Sequence, residues 1–167
     1  MLVVTSLLAC SHASTGTAPP ALDHEVLYSG AQCGAIDKDP SLLWLSEREG
    51  LEAVYRKLNG HMLGKKSPVP PVVDFGAGGV LVVYMGLKPT AGYALSIRGS
   101  AIKRVNGGLD VEVDWVEPAP GSLVAQALTS PCFIIKIEAG DYERIRVIDG
   151  NGKTRATLAM RRPIKRQ

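Results

Sequence analysis

From residue 80 onward the apolar side chains fall mainly at every second position, whereas one stretch before it repeats at helical spacing. Leu109, Val111, Val113 and Trp115 alternate with Asp110, Glu112 and Asp114, the period of a strand with one buried and one wet face. Tyr93, Leu95 and Ile97 alternate with Ala94, Ser96 and Arg98 in the same way. Residues 80–85 are continuously apolar and predict a central strand covered on both faces, and Phe133, Ile135 and Ile137 predict another. Asn106-Gly107-Gly108, between residues 102–105 and Leu109, signals a hairpin. Asp149-Gly150-Asn151-Gly152, between residues 144–148 and 154–160, signals a second. Val26, Leu27 and Tyr28 predict a first strand. The helical stretch covers residues 46–59. Ser46 is the expected N-cap with Glu49 completing a capping box, and Leu51, Val54, Tyr55 and Leu58 form the apolar stripe. Gly60 is the expected stop. The pattern predicts a mainly β fold, an antiparallel β-sandwich or open barrel of six to seven strands with one N-terminal α-helix.

Composition sharpens this picture. The 18 glycines and 11 prolines suit many turns between short strands. Much of the net charge of +3 sits at one end, in Arg161, Arg162, Lys165 and Arg166, a tail expected to be solvated. No aromatic platform interleaves with that basicity, so nucleic acid is not expected as a partner.

Residues 1–9 form a short apolar run ending Leu7-Leu8-Ala9 before Cys10, which resembles the bacterial lipobox. A bilayer-spanning helix needs about 20 apolar residues, so the run is too short to cross. It also lacks the basic start of a signal peptide, and the true start is expected upstream. The resemblance implies cleavage before Cys10 and a lipid on its new N-terminus. Residues 11–23 are rich in Ser, Thr, Ala and Pro and cannot form a core. The expected organisation is an anchor at 1–10, a flexible tether at 11–24 and one β-rich domain at 25–167. The expected location is the cell envelope, lipid-anchored, and periplasmic or outer-membrane in a diderm cell. Of the three cysteines, Cys33 and Cys132 then remain to pair in an oxidising compartment.

Catalytic constellations are scarce. His12, His24 and His61 have no cysteine or carboxylate at metal-ligand spacing, and no G-x-S-x-G elbow is present. Neither a metal nor a cofactor is expected. Asp110, Glu112 and Asp114 share a strand face, where paired carboxylates can do acid–base work, but alternation alone explains them. Gly76, Gly78 and Gly79 lead into a strand, the reverse of a phosphate-binding loop. The segment 86–93, Gly-Leu-Lys-Pro-Thr-Ala-Gly-Tyr, stands out as a stiff proline–glycine tip joining two strong strands. Such a loop at a sandwich end commonly serves recognition.

That segment, followed by Trp115, Pro118-Ala119-Pro120-Gly121 and Thr129-Ser130-Pro131-Cys132, resembles the C-terminal domain of PrcB-type proteins, lipoproteins named for a subunit of a surface protease complex. Ser29-Gly30, Cys33-Gly34, the single helix and Val73-Asp74-Phe75 are similar to that family's upstream region. The resemblance implies a non-catalytic assembly or stabilising role beside a protease. With a binding role of that kind, Lys88, Pro89, Thr90, Gly92, Tyr93, Pro120 and Gly121 are the expected partner-binding residues. A second likeness joins residues 88–93 to the Asn-Pro-Thr-Thr-Gly-Tyr/Phe loop of chagasin-like cysteine-protease inhibitors, with Arg162-Pro163 echoing their Arg-Pro-Trp loop. It implies loops inserted into a protease cleft, although Lys88, Ala91 and Ile164 depart from that pattern.

Overall fold

The computed structural model describes residues 21–60, 64 and 66–160, so Cys10, residues 11–20 and the basic tail lie outside it. Eight strands and one helix follow in the order β1 (His24–Gly30), β2 (Ser41–Leu45), α1 (Arg48–Lys57), β3 (Gly78–Tyr84), β4 (Ala94–Val105), β5 (Gly108–Val116), β6 (Cys132–Glu138), β7 (Arg144–Asp149) and β8 (Thr154–Ala159). They form two four-stranded sheets, β1-β6-β3-β2 and β4-β5-β7-β8. The arrangement is that of a sandwich, and the strands do not close into a barrel.

Alternation puts Leu109, Val111 and Val113 of β5 and Ile145 and Val147 of β7 on the inner face of the second sheet. They meet Leu81 and Val83 of β3 and Phe133, Ile135 and Ile137 of β6, all completely buried. The first sheet is also covered outside, which is why β3 reads as an unbroken apolar run. There Leu51, Val54, Tyr55 and Leu58, the predicted stripe, pack on Val80, Val82 and Ile134. Tyr55 donates to the Leu27 carbonyl at 3.1 Å, and burial, with Tyr28 alongside, pushes its pKa up to about 12.

Several expectations are corrected. The strand count rises to eight because residues 41–45, a short apolar run without alternation, form an edge strand ahead of the helix. Residues 93–98 and 102–105 are one strand, β4, whose ladder slips between Ile97 and Ile102. The sheets are not wholly antiparallel, since β5 and β7 pair in parallel. Between them the chain crosses to the other sheet and reverses there as β6, so it re-enters running the same way. The helix begins at Arg48 with Glu47 as cap residue and no side-chain capping bond. Strand β2 runs right up to Leu45, so Ser46 and Glu47 are used in turning the chain off the sheet edge. The fold also begins before residue 25: the N–H of Leu22 donates to the Ile102 carbonyl at 2.8 Å, and Ala21 bridges Lys103.

Gly79 is fixed by packing. A Cβ there would lie 2.1 Å from the Trp44 ring, which reaches across β3 and meets Tyr142 edge-on at 6.2 Å. Cys33 and Cys132 form a buried disulfide spanning 99 residues of chain, tying the segment after β1 to the start of β6. In the chain-entropy picture a loop of that length is worth about 4–5 kcal/mol. Replacing both cysteines with serine is expected to lower unfolding stability by several kcal/mol, read as a fall in the urea midpoint. Free-thiol counting on the purified, oxidised protein should find neither cysteine reactive.

Candidate functional site

Three connections without regular structure gather at one end of the sandwich: residues 31–40, 85–93 and 117–131. Backbone polar groups in such loops need partners, and here the loops supply them to one another. Leu87 N–H donates to the Asp37 carbonyl at 2.7 Å and Met85 N–H to that of Pro131 at 2.8 Å. Lys88 and Thr129 exchange two bonds, at 2.7 and 3.0 Å. The Thr129 hydroxyl donates to the Thr90 carbonyl at 3.0 Å, and Ala91 N–H to that of Ala125 at 3.0 Å. The next residue, Ser130, holds the opposite loop: its Oγ accepts from the N–H groups of Cys33 and Gly34, both at 2.9 Å. Thr129 and Ser130 thus clasp one loop each, beside the disulfide at Cys132.

Gly86 and Gly92 have φ of +88° and +90°. At Gly86 a side chain would also strike the Lys38 carbonyl oxygen at 2.3 Å, so only glycine fits.

Of the expected partner-binding residues, Pro89, Gly92, Pro120 and Gly121 are exposed at this end. Lys88 and Thr90 are half-buried, Thr90 giving its carbonyl to the clasp. Tyr93 does not project outward; it packs on the inner core, with the Lys88 ammonium 5.8 Å from its ring centre. The 86–93 segment is not a hairpin tip either, because β3 and β4 belong to different sheets and the loop crosses between them. Sequence reasoning missed Leu123, which is fully exposed beyond the turn closed by Ser122 on the Ala119 carbonyl. It also missed Leu128, 63 % exposed, beside the Gln32 amide that donates to its carbonyl at 3.0 Å. The available signal was the lack of any charged residue from Pro118 to Ile135. Leu123 and Leu128, with Pro89 and Pro120, put exposed apolar side chains at this end, while the charges there sit on the 31–40 loop at Asp37, Lys38 and Asp39 and on Lys88.

The root of the 117–131 loop is braced electrostatically. Trp115 Nε1 donates to Glu117 at 2.7 Å, and the Arg155 guanidinium stacks 4.8 Å from the Trp115 ring. Arg155 pairs with Asp149 at 2.7 Å and with Glu117 at 3.3 Å. Burial disfavours the Asp149 carboxylate, but Arg155 and the N–H groups of Lys153 and Asn151 outweigh it and hold its pKa below the ordinary value.

Asp110, Glu112 and Asp114 do point to the outer face of the second sheet. Each is committed to a cation: Asp110 to Arg146 through two bonds of 2.8 and 2.6 Å, Glu112 to Lys103, and Asp114 to Arg98 at 2.6 Å. This is an ion-paired wet face spread along a strand.

Residues 80–138 match the family model described as PrcB C-terminal, so the likeness covers β3 to β6 and both the 86–93 and 117–131 loops. No curated protein and no solved structure matches the chain. Arg162 and Pro163, on which the likeness to chagasin-like inhibitors partly rested, lie outside the described residues.

Two measurements probe this site. Ser130→Ala leaves the Gly34 N–H without its acceptor and should cost about 1–3 kcal/mol, with faster amide exchange at Gly34. The depressed pKa of Asp149 means its carboxylate stabilises the fold fully above the ordinary carboxylate pKa of about 4. That contribution drains away as pH falls through the lower folded value. Asp149→Asn should therefore lower stability at neutral pH and flatten the acid limb of a stability-against-pH curve.

Proposed function

We propose that this chain is a non-catalytic, exported binding subunit that holds a protein partner with its loop end, as an accessory or assembly component of a protease complex. The observation that carries the reading is the coincidence of the PrcB C-terminal match with the loop end. The matched residues 80–138 include the apolar rim of Pro89, Pro120, Leu123 and Leu128 and the Thr129–Ser130 clasp beneath it. Protein interfaces centre on apolar, charge-poor patches held in one conformation before binding. The 117–131 loop, charge-free from Pro118 onward and held by the clasp, has both properties. A lipid on Cys10 belongs to the same proposal. It is supported by the entry of the chain at Ala21, beside Lys103, at the end of the sandwich away from the loops, so an anchor there leaves them unobstructed.

In this reading Leu123 is the anchor that enters an apolar pocket of the partner. Pro120 and Gly121 hold it out, and Tyr93 acts from beneath by supporting the 86–93 loop. The test is co-purification from native membranes, followed by titration of the recovered partner. Leu123→Asp should weaken capture at least tenfold, about 1.4 kcal/mol, while leaving the melting temperature unchanged, since the side chain touches nothing in its own fold. Undiminished capture by the folded variant would refute the assignment. Mass spectrometry of the membrane-extracted chain should find acylation at Cys10, and an intact, unmodified N-terminus would remove the anchor.

A further inference from the structure

A sandwich of two open sheets has four edge strands, here β1, β2, β4 and β8, each a potential template for another chain. Three of them are guarded. Strand β1 carries His24 and Glu25 and is irregular between Val26 and Tyr28. Strand β4 carries Arg98, Lys103 and Arg104, breaks register between Ile97 and Ile102, and is partly capped by Ala21 and Leu22. Strand β8 carries Arg155 and shifts register against β7 between Val147 and Ile148. Charges and bulges of this kind are how β-proteins keep edges from pairing.

Strand β2 has none of them. Ser-Leu-Leu-Trp-Leu contains no charge and no proline, and its ladder with β3 is regular from Ser41 to Leu45. Among the described residues nothing pairs with its other side. Leu43 points outward and is 41 % exposed, while Leu42 and Trp44 point inward yet remain half-buried against the inner core. Beside Leu43 lies a groove of about 330 Å³, lined among others by Ile36, Val54 and Tyr84, with Ile36 80 % exposed at its rim.

We infer that β2 is a self-association edge: it pairs antiparallel with β2 of a second copy, centred on Leu43, joining the two first sheets into one of eight strands. The observation that selects a second copy is the self-complementarity of the strand. Antiparallel pairing about Leu43 sets Leu43 against its own counterpart on the outer face, where it closes the open side of the groove. It sets Leu42 of one copy against Trp44 of the other, twice, on the inner face, an aliphatic–aromatic cross-strand pair of the stabilising kind. Every apolar side chain left incomplete at the edge gains an apolar neighbour, and β2 itself brings no charge into the seam; Asp37 and Lys57, which also line the groove, are of opposite sign. A two-fold arrangement of this sort is isologous and closes at two copies. It sends the two 117–131 loops in opposite directions, while the groove side of each 31–40 loop faces the seam.

The test uses the full chain carrying Cys10→Ser, so that neither a lipid nor a stray thiol intervenes. Sedimentation equilibrium should give twice the 17.8 kDa chain mass, and Leu43→Lys should halve it. In parallel, Leu43→Cys should form a covalent dimer on mild oxidation. Directly opposed antiparallel residues have Cα atoms about 4.5–5.5 Å apart, within disulfide reach. Thr157→Cys on the guarded β8 edge should not. A wild-type chain that stays monomeric at its highest soluble concentration overturns the inference and leaves the edge to a different partner. So does a dimer that survives Leu43→Lys and does not cross-link at position 43. If Leu43→Lys fails to fold, the two cysteine variants decide alone.

Discussion

The loop end exists as a defined surface because its irregular backbone finds its partners within itself. Residues 31–40, 85–93 and 117–131 have no ladder to complete, and an unpaired buried N–H or carbonyl costs about as much as a lost hydrogen bond. Four consecutive residues resolve most of this. Thr129 serves the loop on one side, Ser130 the loop on the other, Pro131 gives its carbonyl to Met85, and Cys132 fixes the whole covalently to Cys33. Because the same four residues run directly into β6, a central strand, the loops inherit the rigidity of the core.

That arrangement explains the division of labour among the exposed and buried positions. Side chains that hold the loops together turn inward or sideways, as Tyr93 and Thr129 do. On the 117–131 loop, what is left facing outward is small, cyclic or aliphatic. Many of the charges form cross-strand pairs on the outer face of the second sheet. There, pairs such as Arg146–Asp110 keep a strand face hydrated and in register. The two faces of the molecule thus follow different physical rules, with solvation governing one and geometric fit the other.

The strands with clean alternation were legible in the sequence, β5 above all, because a half-buried strand writes its two environments into every second residue. The helical stripe was equally plain, and the covered status of β3 followed from its unbroken apolar run. Strand β2 was not legible: five residues of mixed apolar character lack a period, and their strand character comes from pairing with β3. The parallel pairing of β5 and β7 was hidden for another reason, since adjacency in a sheet depends on where β6 goes and no local signal records that. At the loop end, glycine and proline at Gly86, Pro89 and Gly92 marked an unusual backbone. The inward orientation of Tyr93 was not legible, because an aromatic in a loop reads the same whether it faces solvent or core. Leu123 was overlooked because a lone leucine carries no pattern; only the long uncharged stretch around it does.

The parallel contact between β5 and β7 also winds the two sheets into each other. Between those strands the chain leaves the second sheet, lays β6 between β1 and β3, and comes back. Neither sheet is a unit that could form and persist without the other. A chain interrupted before residue 132 would lack the middle of one layer, half of the other, and the sulfur that Cys33 requires. Each layer is therefore completed by chain that has passed through the other, and β6 is the segment that links them.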